Sequence, residues 1–242
     1  MVTGRGAGSE RLGREEVRDR LAALPGAVTV PQICAGVGIP QARADQYLAR
    51  WAEAGLVARF GAGVFLNLVR DPEAEKTQPG LALALLLQRP FIMVGGAALY
   101  HTGWTGQVHR RIEIAVPVTR TTTGLPAVAG GFVLVPRFPR HHQILMENLA
   151  SNASGWEGIP VARPAFALAD SLLASTQSVP ASSRTFPVPP DEIDPDLLEC
   201  DETESFRDAL KALGAAPALL ERAMGDYGAA LRGPSAPAPH RR

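Results

Sequence analysis

A chain of 242 residues with 46% hydrophobic and 20% charged side chains can bury a proper core, which excludes wholesale disorder, and its length fits one large domain or two small ones. No stretch approaches 18 consecutive apolar residues, the best being Leu81–Leu87, so a membrane span is excluded; Cys34 and Cys200 are too few for a disulfide scaffold. The net charge of zero hides +3 on residues 1–70, +2 on 71–187 and −5 on 188–242, which suits the two ends to different partners.

The first eight residues are Gly-rich and read as disordered. They hold arginine but no apolar segment, so no signal peptide and a cytoplasmic location are expected. A first helix is predicted over Gly13–Ala23, with Val17, Leu21 and Leu24 on one face and Pro25-Gly26 as its stop. Val28–Val30 reads as extended, Val30–Val37 as a short second helix, and Gly38-Ile39-Pro40 as a turn. A third helix follows over Gln41–Ala54, ended by Gly55. Leu56–Phe60 and Val64–Val69 read as two strands around Gly61-Ala62-Gly63.

Three helices and a hairpin within residues 1–70 are the layout of a winged helix-turn-helix. One face of the third helix is apolar (Ala44, Tyr47, Leu48, Trp51), and the opposite face carries Arg43, Gln46 and Arg50, with Gln41 at its entry. Arg pairs with guanine edges and Gln with adenine edges in a major groove wide enough for a helix. Arg59, on the hairpin that would be the wing, is placed for a phosphate. The same layout also serves protein-binding modules, and that alternative stays open. Cys34, among apolar neighbours, reads as a buried structural thiol.

Residues 71–80, broken by Pro72 and Pro79, read as a linker, and 81–175 as a second, α/β domain. Leu81–Leu87 is predicted as a buried helix, and Phe91–Val94 as a strand that runs into Gly95-Gly96 and a helix over Ala97–Thr102. Ile112–Val118 and Phe132–Val135 read as strands around a loop at 120–124. Gln143–Met146 and Ile159–Ala162 read as two further strands, and Pro164–Leu173 as a helix in which Asp170 caps or bonds a neighbouring loop. A strand entering a Gly-Gly turn is how nucleotidyltransferases approach a triphosphate, but they add two carboxylates, one residue apart, for magnesium. The strand here offers Glu113 alone, with Arg111 and Ala115 at the two positions that could pair with it. The expectation is therefore a nucleotidyltransferase-like shape without catalysis, without metal and without cofactor. An active nucleotidyltransferase using Gly95, Gly96 and Glu113 is the alternative. His101, His109, His141 and His142 lack metal-ligand spacing.

The order of these segments carries a resemblance. Gly95-Gly-Ala-Ala-Leu-Tyr-His-Thr-Gly-Trp-Thr-Gly-Gln107 after a short strand, and Val161-Ala-Arg-Pro-Ala-Phe-Ala-Leu-Ala-Asp-Ser-Leu-Leu173 in a later helix, follow a front winged helix. Together they resemble the AbiEi family of type IV antitoxins and related transcriptional regulators, over residues 12–175. Thr102 is an extra residue within that pattern, Trp104 replaces Leu, and Ala165-Phe166 replace Glu-Arg. The resemblance implies a protein that represses its own promoter through the winged helix and counteracts a nucleotidyltransferase toxin, AbiEii, without needing a stable complex with it.

Residues 176–200 read as a Pro-rich arm, and the acids of 191–204 as a solvated lead into two C-terminal helices, or as a cover for a basic surface. The helices are expected over Glu202–Leu213 and Pro217–Leu231, with a disordered tail from Gly233. The fold class expected is α+β: a winged helix-turn-helix, a nucleotidyltransferase-like α/β domain and C-terminal helices.

Overall fold

The structure, a computed structural model, describes residues 13–119, 125–151, 158–175 and 184–233, and it is α+β. Helix α1 (Arg14–Ala22) buries Val17 and Leu21. A short strand β1 (Ala27–Thr29) leads into α2 (Val30–Val37), which starts with Pro31 in its first turn and the Thr29 N–H donating to Gln32 Oε1 at 2.8 Å. Gly38 closes α2 at φ +80°, a conformation that favours glycine. Arg20 of α1 donates to the Val37 carbonyl at 2.6 Å, a cation placed on the negative end of α2. The predicted third helix is divided: Gln41–Arg43 is a 3-10 turn, and α3 (Ala44–Glu53) begins after Arg43, whose φ −113° and ψ 3° lie outside the helical range.

Strands β2 (Val57–Gly61) and β3 (Val64–Asn67) form the hairpin, and β1 adds to it in the order β1-β3-β2, all antiparallel. Both faces of this sheet are covered. Val28, Val57 and Phe65 join Leu21, Ile33, Leu48 and Trp51 in one core beneath α1–α3. Their neighbours Ala27, Phe60, Val64 and Leu66 alternate to the other face and join the main core of the molecule. Residues 71–80, expected as a linker, are folded into it. Asp71 Oδ1 accepts from the Glu73 N–H at 2.9 Å, starting α4 (Ala74–Thr77), and Ala74 is fully buried. Helix α5 (Pro79–Leu87) follows with Pro79 in its first turn and packs on β1 and β3.

Asn67 ties this junction together. It is fully buried, and its amide donates to the carbonyls of Leu21 at 2.7 Å and Pro25 at 3.2 Å, at the end of α1. Replacing it with Ala removes both bonds and leaves the Leu21 carbonyl to the N–H groups of Ala23 and Leu24, and the expected loss of unfolding free energy is about 1–3 kcal/mol by urea titration. A loss of only a few tenths would mean that water replaces the amide.

The second sheet has the order β4-β5-β6, formed by β4 (Ile92–Val94), β5 (Ile112–Pro117) and β6 (Phe132–Arg137). Strand β4 is antiparallel to β5, and β5 is parallel to β6. Helix α6 (Gly95–His101) leaves β4 directly. Residues 139–147, part of which was expected as a strand over Gln143–Met146, form helix α7 (Pro139–Glu147). Its buried pair is His142 and Leu145. One of the two is polar, so the apolar pattern alone hides the three-residue period. Ile159–Ala162 forms no full strand, only single bridges from Val161 to Met93 and from Ala162 to Leu149. Helix α8 (Pro164–Ser175) follows.

The described part of the Pro-rich arm is docked, with Val188, Ile193 and Leu198 buried in the main core. Helices α9 (Thr203–Ala212) and α10 (Pro217–Tyr227) belong to the same core: Phe206 and Tyr227 stack at 5.6 Å, and the Tyr227 hydroxyl donates to the Val188 carbonyl at 2.5 Å. The loop read at 120–124 lies outside the described residues, as do the N-terminal twelve residues and the tail after Gly233. Among the described residues, no helix is long and apolar enough to cross a membrane.

Candidate functional site

Two groups of polar side chains stand out, one on the surface of the N-terminal unit and one inside the body. On the surface, Ala44, Leu48 and Trp51 hold α3 against its core, and the helix turns Gln46 and Arg50 to solvent. Gln41 and Arg43 are exposed on the preceding 3-10 turn, beside the N-terminus of α3. Arg59 is exposed on β2, the edge strand that packs against α3. Among the described residues, none of these three arginines takes part in an ion pair. Asp45 and Glu53 are also exposed on α3, so the helix itself, with Arg50 as its one base, carries a net charge of −1.

The hairpin differs from a free wing. Phe60, next to Arg59, is buried against Phe132 with ring centres 5.9 Å apart, and its carbonyl accepts from the Ala129 N–H at 2.8 Å. A Cβ on Gly61 would lie 2.8 Å from a Leu86 methyl. Ala62 and Gly63 at the tip are exposed, as is Arg59. The hairpin thus packs on the body of the molecule, and Arg59 lies on the strand that contacts α3.

The second group lies beneath α8. Arg137, 1% exposed at the end of β6, forms a two-pronged pair with Asp170 of α8: Nε to Oδ1 and Nη2 to Oδ2, both 2.7 Å. Nη2 also donates to Thr185 Oγ1 at 2.9 Å, and Nη1 to the Pro136 carbonyl at 2.9 Å. His141 Nε2 meets Asp170 Oδ1 at 2.7 Å. Burial by itself would raise the pKa of Asp170, but the Arg137 guanidinium and the hydrogen bonds from Arg137 and His141 outweigh it and hold the carboxyl at about 2. Asp170 is therefore neither a helix cap nor a loop contact but the centre of a buried ionic cluster. The signal available in the sequence was an acid inside an Ala-rich, wholly apolar helix face, which requires a cation from elsewhere in the chain. No local spacing says which one.

Glu113 lies beside this cluster, under the Gly-Gly turn. Arg111 Nε donates to its Oε1 at 3.0 Å, and its buried Oε2 has no hydrogen-bond partner among the described residues. Burial pushes its carboxyl up from the usual range, against the pull of Arg111 and Arg137. Gly95, at φ +65°, packs on Glu113, and a Cβ there would lie 2.9 Å from Oε2. A Cβ on Gly96 would fall within 2.6 Å of three atoms of the His109 ring. The surface of the Gly-Gly turn is thus taken up by side chains of this chain. Glu113 has an arginine as its neighbour on the strand face, and the described residues contain no group of three or more metal-ligating side chains.

Neither a protein-family model nor a curated protein matches this chain. Among solved structures, it is similar to the RV2827C protein from Mycobacterium tuberculosis, at 19% identity and a TM-score of 0.55, covering 89% of this chain and 76% of that one. At that identity the likeness is one of fold alone.

Proposed function

We propose that this protein is a sequence-specific DNA-binding autorepressor that works in the cytoplasm and reads promoter DNA with Gln41, Arg43, Gln46 and Arg50, while Arg59 holds a phosphate. The observation that carries the reading is the exposed set of amide and guanidinium groups on the Gln41–Arg43 turn, on the outer side of α3 and at Arg59 of β2, none of the arginines being drawn into an ion pair among the described residues. The element order α1-β1-α2-α3-β2-β3 with strand order β1-β3-β2 supports a winged helix. The resemblance to AbiEi regulators adds the second half of the proposal, an antitoxin counteracting a nucleotidyltransferase toxin. Against nucleotide transfer by this chain itself stands the packing of Glu113 and His109 on Gly95 and Gly96.

The test is fluorescence anisotropy with DNA from upstream of the chain's own gene and a scrambled control, at two salt concentrations. The promoter is expected to bind far more tightly than the scramble and to lose affinity steeply with salt. Arg43→Ala is expected to weaken promoter binding by about 1–3 kcal/mol, roughly 5- to 150-fold. Arg59→Ala, a phosphate contact, is expected to weaken both DNAs equally and to lower the salt slope by about 1. Equal, weak binding of promoter and scramble would overturn the DNA-reading assignment. The antitoxin half is tested by co-expression with the nucleotidyltransferase of the adjoining reading frame: restored growth supports it, unrelieved toxicity overturns it.

A further inference from the structure

Between α1 and α3 runs an open groove of about 370 Å³. Its floor is apolar, made by Val17, Tyr47, Trp51 and Leu56, and Arg14 and Arg50 stand on its rim. The Tyr47 and Trp51 rings are 5.7 Å apart and tilted; Trp51 is 6% exposed, so the half-buried Tyr47 ring gives the floor most of its aromatic surface. Neither arginine is in an ion pair among the described residues.

A feature of complementary charge, with an exposed apolar side chain, stands elsewhere on the same chain. Leu197 is 46% exposed on the 3-10 turn Pro195–Leu197, although its neighbours Ile193 and Leu198 are 4% and 3% exposed and anchored in the core. The turn is rigid: the Asp194 N–H donates to the Trp104 carbonyl at 3.1 Å, and Asp194 Oδ1 accepts from the Asp196 N–H at 3.0 Å. Asp194, Asp196 and Glu199 are exposed around Leu197, and none is ion-paired among the described residues. An apolar side chain on an anchored turn loses little backbone freedom on docking. Within one molecule the acidic turn is bound to the body through Trp104, and no ion pair among the described residues joins it to Arg14 or Arg50.

We propose that the groove between α1 and α3 receives the Asp194–Glu199 turn of a second copy of this chain, with Leu197 on the Tyr47–Trp51 floor and the three acids facing Arg14 and Arg50. The uneven charge of the chain, basic at the front and acidic at the back, thereby becomes a head-to-tail contact between copies.

Sedimentation velocity of the full chain, with no DNA present, tests this independently of the promoter-binding reading. At protein concentrations on the order of 100 μM, species heavier than the monomer are expected at about 0.1 M salt, with the dissociation constant at least tenfold weaker at about 1 M, where the screening length falls from about 10 Å to about 3 Å. Leu197→Ser is expected to weaken association about tenfold or more with every charge in place. The variants Arg14→Glu/Arg50→Glu and Asp194→Lys/Asp196→Lys/Glu199→Lys are each expected to be monomeric alone and to associate when mixed, because the mixture restores opposite charges at every contact. A monomeric parent at low salt, association that survives Leu197→Ser, or a mixture that stays monomeric would overturn the proposal.

Discussion

Replacing Arg137 with Ala is expected to cost about 3–5 kcal/mol of unfolding free energy, because it leaves the fully buried Asp170 carboxylate without its counter-ion. The guanidinium gives that carboxylate two hydrogen bonds of 2.7 Å, and it also ties down Thr185 and the Pro136 carbonyl, so β6, α8 and the arm all lose an anchor. The double variant Arg137→Met/Asp170→Leu removes both charges at similar volume and is expected to recover most of the loss. His141, 13% exposed at its side chain, can then turn to water. Urea titrations of parent, single and double variants check this; a single variant within about 1 kcal/mol of the parent would show that Asp170 is neutralised or solvated some other way.

The same pair sets an acid limit. Asp170 is held at about 2, below its ordinary 3.8, so its stabilising contribution is complete above pH 4 and disappears as the pH falls through 2. By linkage that contribution is about 2–3 kcal/mol. His142 acts in the same direction: burial lowers its pKa from 6.5, so the unfolded chain takes up a proton first and stability falls as the pH drops below that value. Glu113 opposes both, since its raised pKa favours the folded chain once the carboxyl is protonated. Unfolding free energy measured from pH 7 to pH 2 is expected to fall, and to fall less in the double variant.

Local chemistry made much of this fold legible. Pro31 and Gly38 bracket α2, and Pro164 opens α8, so these boundaries are written in residues whose backbone preferences are strong. The outward face of α3 follows once Ala44, Leu48 and Trp51 are taken as inward, which is why Gln46 and Arg50 are found exposed. Arg111 and Glu113 sit two residues apart, so the strand period alone places them on one face. What escaped depends on distant partners. Asp170 and Arg137 are 33 residues apart, and no spacing rule joins them. The stretch 71–80 has the punctuation of a linker, yet Asp71 uses that irregularity to start α4, whose Ala74 is buried in the main core. In β3 every residue of Val64–Asn67 is buried, a sign of a strand covered on both faces; reading the hairpin as a free wing supplied only one cover.

That shared sheet leads to the second large effect. Phe60→Ala is expected to cost about 3–5 kcal/mol, the range for emptying a buried aromatic site, since Phe60 is 3% exposed and stacked on Phe132. The position matters more than the side chain. Phe60 and its face-mates Ala27, Val64 and Leu66 belong to the main core, whereas Val28, Val57 and Phe65 of the same strands belong to the core beneath α1–α3. A sheet whose two faces serve two cores forces them to melt together, so native-state hydrogen exchange of the parent is expected to show the slowest amides of α2 and of β5 opening with the same free energy. In Phe60→Ala the largest side chain of one face is lost, weakening the coupling there, while the α1–α3 core keeps all its residues. The amides of α2 and β5 are then expected to report two different opening free energies. Separate values already present in the parent would mean that the hairpin only rests on the body. A single lowered value in the variant would mean that α5 packed on β1 and β3 couples the two units without Phe60.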